Sequence, residues 1–140
     1  MMRLCWLFAV FVILGCSKAK SEDEKGYYRI EVERKETKGD GFAHVVVRFL
    51  GNRGYHWNTD FRPTARVVAK EGVVLEKDEF SKKTGDFVDN GEEGQLHFFA
   101  KPDGSSPKPS VSLRVRFSMC TNKECRVFDD VPVEVLLNAR

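Results

Sequence analysis

Apolar side chains recur at every second position along several short runs of this 140-residue chain. The longest run is Val111, Leu113, Val115, Phe117 and Met119, and the others are Tyr28, Ile30 and Val32; Val45, Val47 and Phe49; Leu96 and Phe98; and Val131, Val133, Val135 and Leu137. A period of two sends successive side chains to opposite faces of an extended strand, so each run has one face to bury and one to leave in water. The runs are separated by turn chemistry: Lys38-Gly39-Asp40-Gly41, Gly51-Asn52-Arg53-Gly54, Asp89-Asn90-Gly91 and Pro102-Asp103-Gly104-Ser105-Ser106-Pro107. Glycine supplies positive φ there and proline fixes φ, which ends one strand and starts the next.

Such spacing favours antiparallel hairpins over βαβ units. No segment sustains the i, i+3, i+4, i+7 stripe of an amphipathic helix over three turns, although the spacing of Lys77 to Lys83 is compatible with one helical turn. The chain is therefore predicted to be all-β, an immunoglobulin-like antiparallel β-sandwich of roughly seven to nine strands. Residues 27–140 have the size of one domain with one core, and no internal repeat divides them.

The first residues read differently. Arg3 is followed by an apolar run from Leu4 to Leu14, shorter than the ~20 residues a membrane-spanning helix needs but suited to the core of an export signal. It closes on Ile13-Leu14-Gly15-Cys16, which resembles the bacterial lipobox. The small side chain admits the backbone to a signal peptidase, and the thiol carries diacylglycerol. Residues 1–15 are thus expected to be a lipoprotein signal peptide, with Cys16 the lipid-bearing first residue of the mature chain. Residues 16–26, whose Ser17 to Gly26 portion has no large apolar side chain, are expected to be a flexible tether. Ser17 after the cysteine resembles the pattern passed on to the outer membrane, so the expected location is the cell envelope, facing the periplasm, with the outer membrane favoured over the inner. Without Arg3, 22 basic side chains face 21 acidic ones, and this balance lacks the footprint of a nucleic-acid-binding protein.

Of four cysteines, Cys5 departs with the signal and Cys16 with the lipid. Cys120 and Cys125 are left in an oxidising compartment, where they are expected to pair. The alternation from Val111 to Met119 puts Ser112, Arg114, Arg116 and Ser118 on the polar face, and continuing the pleat places Cys120 there, within reach of a partner. Thr121 to Glu124 can turn the chain, so the two cysteines are expected to flank a hairpin loop. A loop this short restricts the unfolded chain little, and the bond is worth about 2 kcal/mol in the chain-entropy account. Two functions stay open at this point: a disulfide that exchanges with other proteins, or a staple in a non-enzymatic β-sandwich lipoprotein that binds a protein, an envelope polymer or a ligand.

Phe117-Ser118-Met119-Cys120, with Cys125 behind it and the strand Val131-Pro132-Val133-Glu134-Val135 following, resembles the N-terminal periplasmic domain of the thiol:disulfide interchange protein DsbD family. Gly54-Tyr55-His56-Trp57-Asn58, with Pro63-Thr64 beyond, is similar to that family's Gly-Tyr-His segment. The resemblance spans about residues 27–137 and implies an immunoglobulin-like sandwich. It also implies that Cys120 and Cys125 pass electrons by mixed-disulfide exchange between a membrane or thioredoxin-like donor and exported disulfide proteins. This chain departs from the family in having four residues between the cysteines, not five, and Arg126-Val127-Phe128 in place of a proline-rich stretch. Arg126 and Lys123 are candidates to stabilise a thiolate at Cys125, with Glu124 opposing them. Phe61, Phe80, Phe87 and Tyr55 are candidates to shield the pair. Cys120, on the polar face, is expected to be the sulfur that forms the mixed disulfide.

Other constellations carry less. His44, His56, His97 and Met119 lack compact metal-site spacing, so no metal or other cofactor is expected. Neither G-x-S-x-G nor H-E-x-x-H occurs. Glu92-Glu93 and Asp129-Asp130 are adjacent acids that point apart in an extended chain, which suits solvated charges better than an acid/base pair. Tyr27, Tyr28, Trp57, Phe98 and Phe99 read as strand packing.

Overall fold

The computed structural model describes residues 19–22, 26–36 and 39–137; the expected signal peptide, residues 1–15, and Cys16 lie outside them. The described residues form eleven strands: β1 Ala19–Glu22, β2 Tyr28–Glu36, β3 Ala43–Gly51, β4 His56–Trp57, β5 Thr64–Glu71, β6 Val73–Leu75, β7 Glu79–Ser81, β8 Phe87–Asp89, β9 Glu93–Pro102, β10 Ser110–Cys120 and β11 Cys125–Leu136. One antiparallel sheet runs β1-β2-β3-β9-β6, with β8 also on β9; the other runs β11-β10-β5-β7, with β4 on the end of β10. The two sheets make an immunoglobulin-like β-sandwich.

The alternating residues fill the space between the sheets. Val45, Val47, Phe49, Leu96, Val111, Leu113, Val115, Phe117, Met119 and Val135 are each 0–1 % exposed. Burying a side chain of this size is worth about 1.5–3 kcal/mol, so the period-two pattern itself supplies most of the force that closes the sandwich. The strand count exceeds the expected seven to nine because several short strands, β4 and β6 to β8 among them, pair where the sequence shows little periodicity.

Two expectations are corrected. Lys77 to Lys83 is not a helical turn: Glu79–Ser81 is strand β7 on β5, with Ala65 opposite Phe80. Phe80 is 3 % exposed, so burial on a ready sheet edge outweighs the local helical spacing. The segment 16–26 is not a tether throughout, because Ala19–Glu22 pairs with Arg29 to Val32 of β2. Strand pairing is made by backbone groups, and a segment without apolar side chains can still satisfy the open edge of β2.

At the far end of β10 the chain meets an irregularity that matters for the site. Val115 opposes Val131 and Phe117 opposes Phe128, so Arg116 faces two residues, Asp129 and Asp130, across a β-bulge. Asp130 has φ 53°, as an extra residue in a bulged strand often requires. Beyond the bulge the register is regular down to Cys120 opposite Cys125.

Candidate functional site

The β10–β11 hairpin ends in the Cys120–Cys125 disulfide, with Cα atoms 4.0 Å apart. Its loop is held by Thr121, whose N–H donates to the Glu124 carbonyl at 2.7 Å. The Thr121 hydroxyl oxygen accepts from the N–H groups of Lys123 and Glu124, both at 3.2 Å. Because Met119 points into the core, Cys120 points to the outer face, as its parity predicts.

Accessibility differs from the expectation. Cys120 is 7 % exposed, and Cys125 is the exposed partner. Two features cover Cys120. Strand β4 runs along the free side of β10, pairing Met119 with Trp57 and Cys120 with His56, and Asn58 then crosses to Ser118, donating from Nδ2 to Oγ at 3.2 Å. Cys125 lies on β11, whose one neighbour among the described strands is β10. Cys125 is therefore the more accessible residue of the pair.

Arg126 does not attend the Cys125 sulfur. It opposes Met119, on the face of β11 turned away from the disulfide. There it joins a latch: the Tyr55 hydroxyl donates to Glu124 Oε1 at 2.5 Å, Arg126 Nε donates to the Tyr55 oxygen at 3.0 Å, and the guanidinium lies 4.7 Å from the Tyr27 ring centroid. The Tyr27 and Tyr55 rings meet edge to face at 5.2 Å. The hydrogen bond from Tyr55 holds the Glu124 carboxyl below its ordinary range, and the same bond, made to a carboxylate, pushes the Tyr55 phenol up. Of the candidate shielding rings, Tyr55 clamps the hairpin loop, Phe80 and Phe87 are in the core, and Phe61 lies 5.0 Å from the Arg116 guanidinium.

Beneath the site, Trp57 is 1 % exposed and stacks on Phe117 with ring centroids 5.8 Å apart. Its Nε1 is buried without a hydrogen-bond partner among the described residues. The ring fits because Gly94 lies against it: a Cβ on Gly94 would come within 2.4 Å of Trp57 Cδ2.

The remaining candidates are dispersed. His56 lies on β4, while His44 and His97 share the outer face of the other sheet. There, Arg48 donates to Glu93 at 2.6 Å, Gln95 Nε2 donates to Glu93 at 2.6 Å, His97 Nε2 meets Gln95 Oε1 at 2.9 Å, and His44 Nε2 meets His97 Nδ1 at 2.9 Å. The carboxylate only accepts, which orients the whole row. His97 thus donates through Nε2, and burial holds its protonation below the ordinary imidazole range. Asp129 and Asp130, in the bulge, pair with Arg116 at 3.5 Å and Arg66 at 3.3 Å. With Arg114 these line a groove of about 560 Å³ on the same face as the disulfide, ~13 Å along β10 from it.

No protein-family model matches the chain, and no curated protein matches it. Among solved structures it is similar to the crystal structure of the yeast GGA1 GAE domain, at 13 % identity and a TM-score of 0.40 over 82 % of this chain and 95 % of that one.

Proposed function

We propose that this chain is a lipid-anchored thiol–disulfide exchange domain of the bacterial envelope, held in the membrane through Cys16 and using Cys120 and Cys125 as its redox pair. The observation that carries the exchange reading is the asymmetry of the disulfide: Cys125 is exposed on an edge strand and Cys120 is buried. A thiolate of a thioredoxin-like or other exported disulfide protein attacks Cys125 Sγ, the new intermolecular S–S bond forms, and the electron pair of the broken bond leaves on Cys120. Cys120 then resolves the complex in the reverse sense. The burial of Cys120 lets it wait as a resolving thiol while the exposed Cys125 selects partners. The small entropic worth of so short a loop, about 2 kcal/mol, leaves most of the domain's stability to its core, which suits a bond that opens and closes.

Two measurements test this reading. An exchanging pair is expected to equilibrate at about −180 to −270 mV, and Cys120→Ser, which keeps Cys125, is expected to trap a mixed disulfide in envelope extracts. A potential below about −300 mV with no complex trapped by either single-cysteine variant would falsify the exchange function and leave a structural staple. For the anchor, mass spectrometry of the mature N-terminus is expected to find acyl chains on Cys16. An unlipidated product, or cleavage elsewhere, removes the anchor from the proposal.

A further inference from the structure

The register places three chemically active residues in one row across three strands: His56 on β4, Cys120 on β10 and Cys125 on β11. All three belong to the outer face, since their neighbours Trp57 and Met119 point into the core with exposures of 1 % and 0 %. Directly opposed residues of antiparallel strands hold their Cβ atoms about 4.5–5.5 Å apart. Cys120 thus has Cys125 opposite it on one strand and His56 opposite it on the other.

The tautomer of that imidazole follows from its other contact. His56 Nδ1 lies 3.2 Å from the Trp57 carbonyl oxygen, and a carbonyl only accepts, so Nδ1 carries the hydrogen. In the neutral ring Nε2 then holds the lone pair and is the nitrogen free to take a proton. We infer that His56 is the acid–base partner of Cys120: Nε2 accepts the proton of the Cys120 thiol in the reduced protein, and the resulting imidazolium holds the Cys120 thiolate. This rests on the exchange reading for its purpose. When a partner thiolate bonds to Cys125 Sγ, the Sγ–Sγ bond breaks and its electron pair departs on Cys120 beside His56, whose Nε2 takes up a proton from solvent and so holds the new thiolate. In the reverse step the Cys120 thiolate attacks Cys125 Sγ, the partner leaves as thiolate, and no proton need be removed first. A leaving thiol that is better stabilised as thiolate leaves faster.

The other charges near the row are accounted for. Glu124 and Arg126 are joined to Tyr55, and Arg116 is held by Asp129 further along the face. Ser118 and Val127, the next residues on the same face, are uncharged, and Lys123 lies in the loop between the two cysteines.

The test reads Cys120 alone. In the full-length Cys125→Ser variant, alkylation of Cys120 by iodoacetamide is followed against pH on the Cys120 peptide by mass spectrometry. Its midpoint is expected below the ordinary thiol value of about 8.5. Adding His56→Gln, at an exposed position that leaves the core untouched, is expected to raise the midpoint by about one unit, a tenfold change in the thiolate equilibrium. In the protein with both cysteines, His56→Gln is expected to slow reduction by dithiothreitol several-fold near neutral pH, while Lys123→Gln changes it less. A midpoint that does not move with His56, or a shift carried by Lys123 instead, overturns the assignment whatever the trapping experiment shows. A midpoint that moves supports it even where the potential places the pair among structural disulfides.

Discussion

Trp57 shows how a single residue sets the position of the site. Its indole fills the core under the end of β10, so its neighbour His56 must face outward beside Cys120. The fit depends on the missing side chain of Gly94, where a Cβ would come within 2.4 Å of the ring. Gly94→Ala is expected to destabilise the domain by about 1–3 kcal/mol through overpacking, measured in urea melts, and to loosen β4 from β10. Wild-type stability in that variant would show that the indole has room to move. At this scale the sequence was only half legible. Parity correctly turned Cys120 outward, but exposure depends on which strand lies alongside, and β4 is two residues long. The signal was present in Tyr55-His56-Trp57, a buried aromatic beside a polar residue, yet so short a run has no period to detect. Arg126 was misread for a related reason: adjacency to Cys125 in sequence means the opposite face in a strand.

Among the elements, the β10–β11 hairpin was the most legible, because its alternating run is long and two cysteines bracket a plausible turn. The bulge at Asp129 and Asp130 was not visible, since two adjacent aspartates look the same in a loop and in a bulged strand. Its position also matters. Placed between the core part of the hairpin and its tip, it lets the first residues of β11, Cys125 to Phe128, keep their own register with β10. Strand β7 was lost to a local helical spacing that its pairing with β5 overrides. Strand β1 was lost because it carries no apolar pattern; only the open edge of β2 explains it, and an edge is a property of the assembled sheet.

For the molecule as a whole, burying Asp86 works against its charge, but the Lys77 ammonium, the Thr84 hydroxyl and the Ser81 N–H outweigh that burial and hold the carboxyl below its ordinary range. Glu93 is likewise held down, with Arg48 and Gln95 outweighing burial. His97 is pushed down by burial and by the neighbouring His44. All three groups have depressed folded-state values, so each contributes stability that is present above its unfolded value and lost as pH falls through the folded one. Thermal melts are expected to show a first decline below about pH 6.5, from His97, and a second below about pH 4, from the two acids. His97→Gln is expected to remove the first decline and keep the second. A first decline that persists in that variant assigns it to another group. The all-β class followed from the period-two runs, whereas these polar rows needed the register of β3 on β9, which no local pattern reveals.

The pairing of β1 with β2 changes what a lipid on Cys16 would mean mechanically. Only Ser17 and Lys18 separate that cysteine from the strand, so the leash shrinks from ten residues to a contour of about 10 Å. Strand β1 also runs antiparallel to β2, with Ala19 opposite Val32 and Glu22 opposite Arg29. Its start therefore lies farther than its end from Tyr28 and the cysteine hairpin. A protein moored at Cys16 would stand close to its bilayer with the hairpin at the outward end, offered to passing proteins and turned away from the lipid surface.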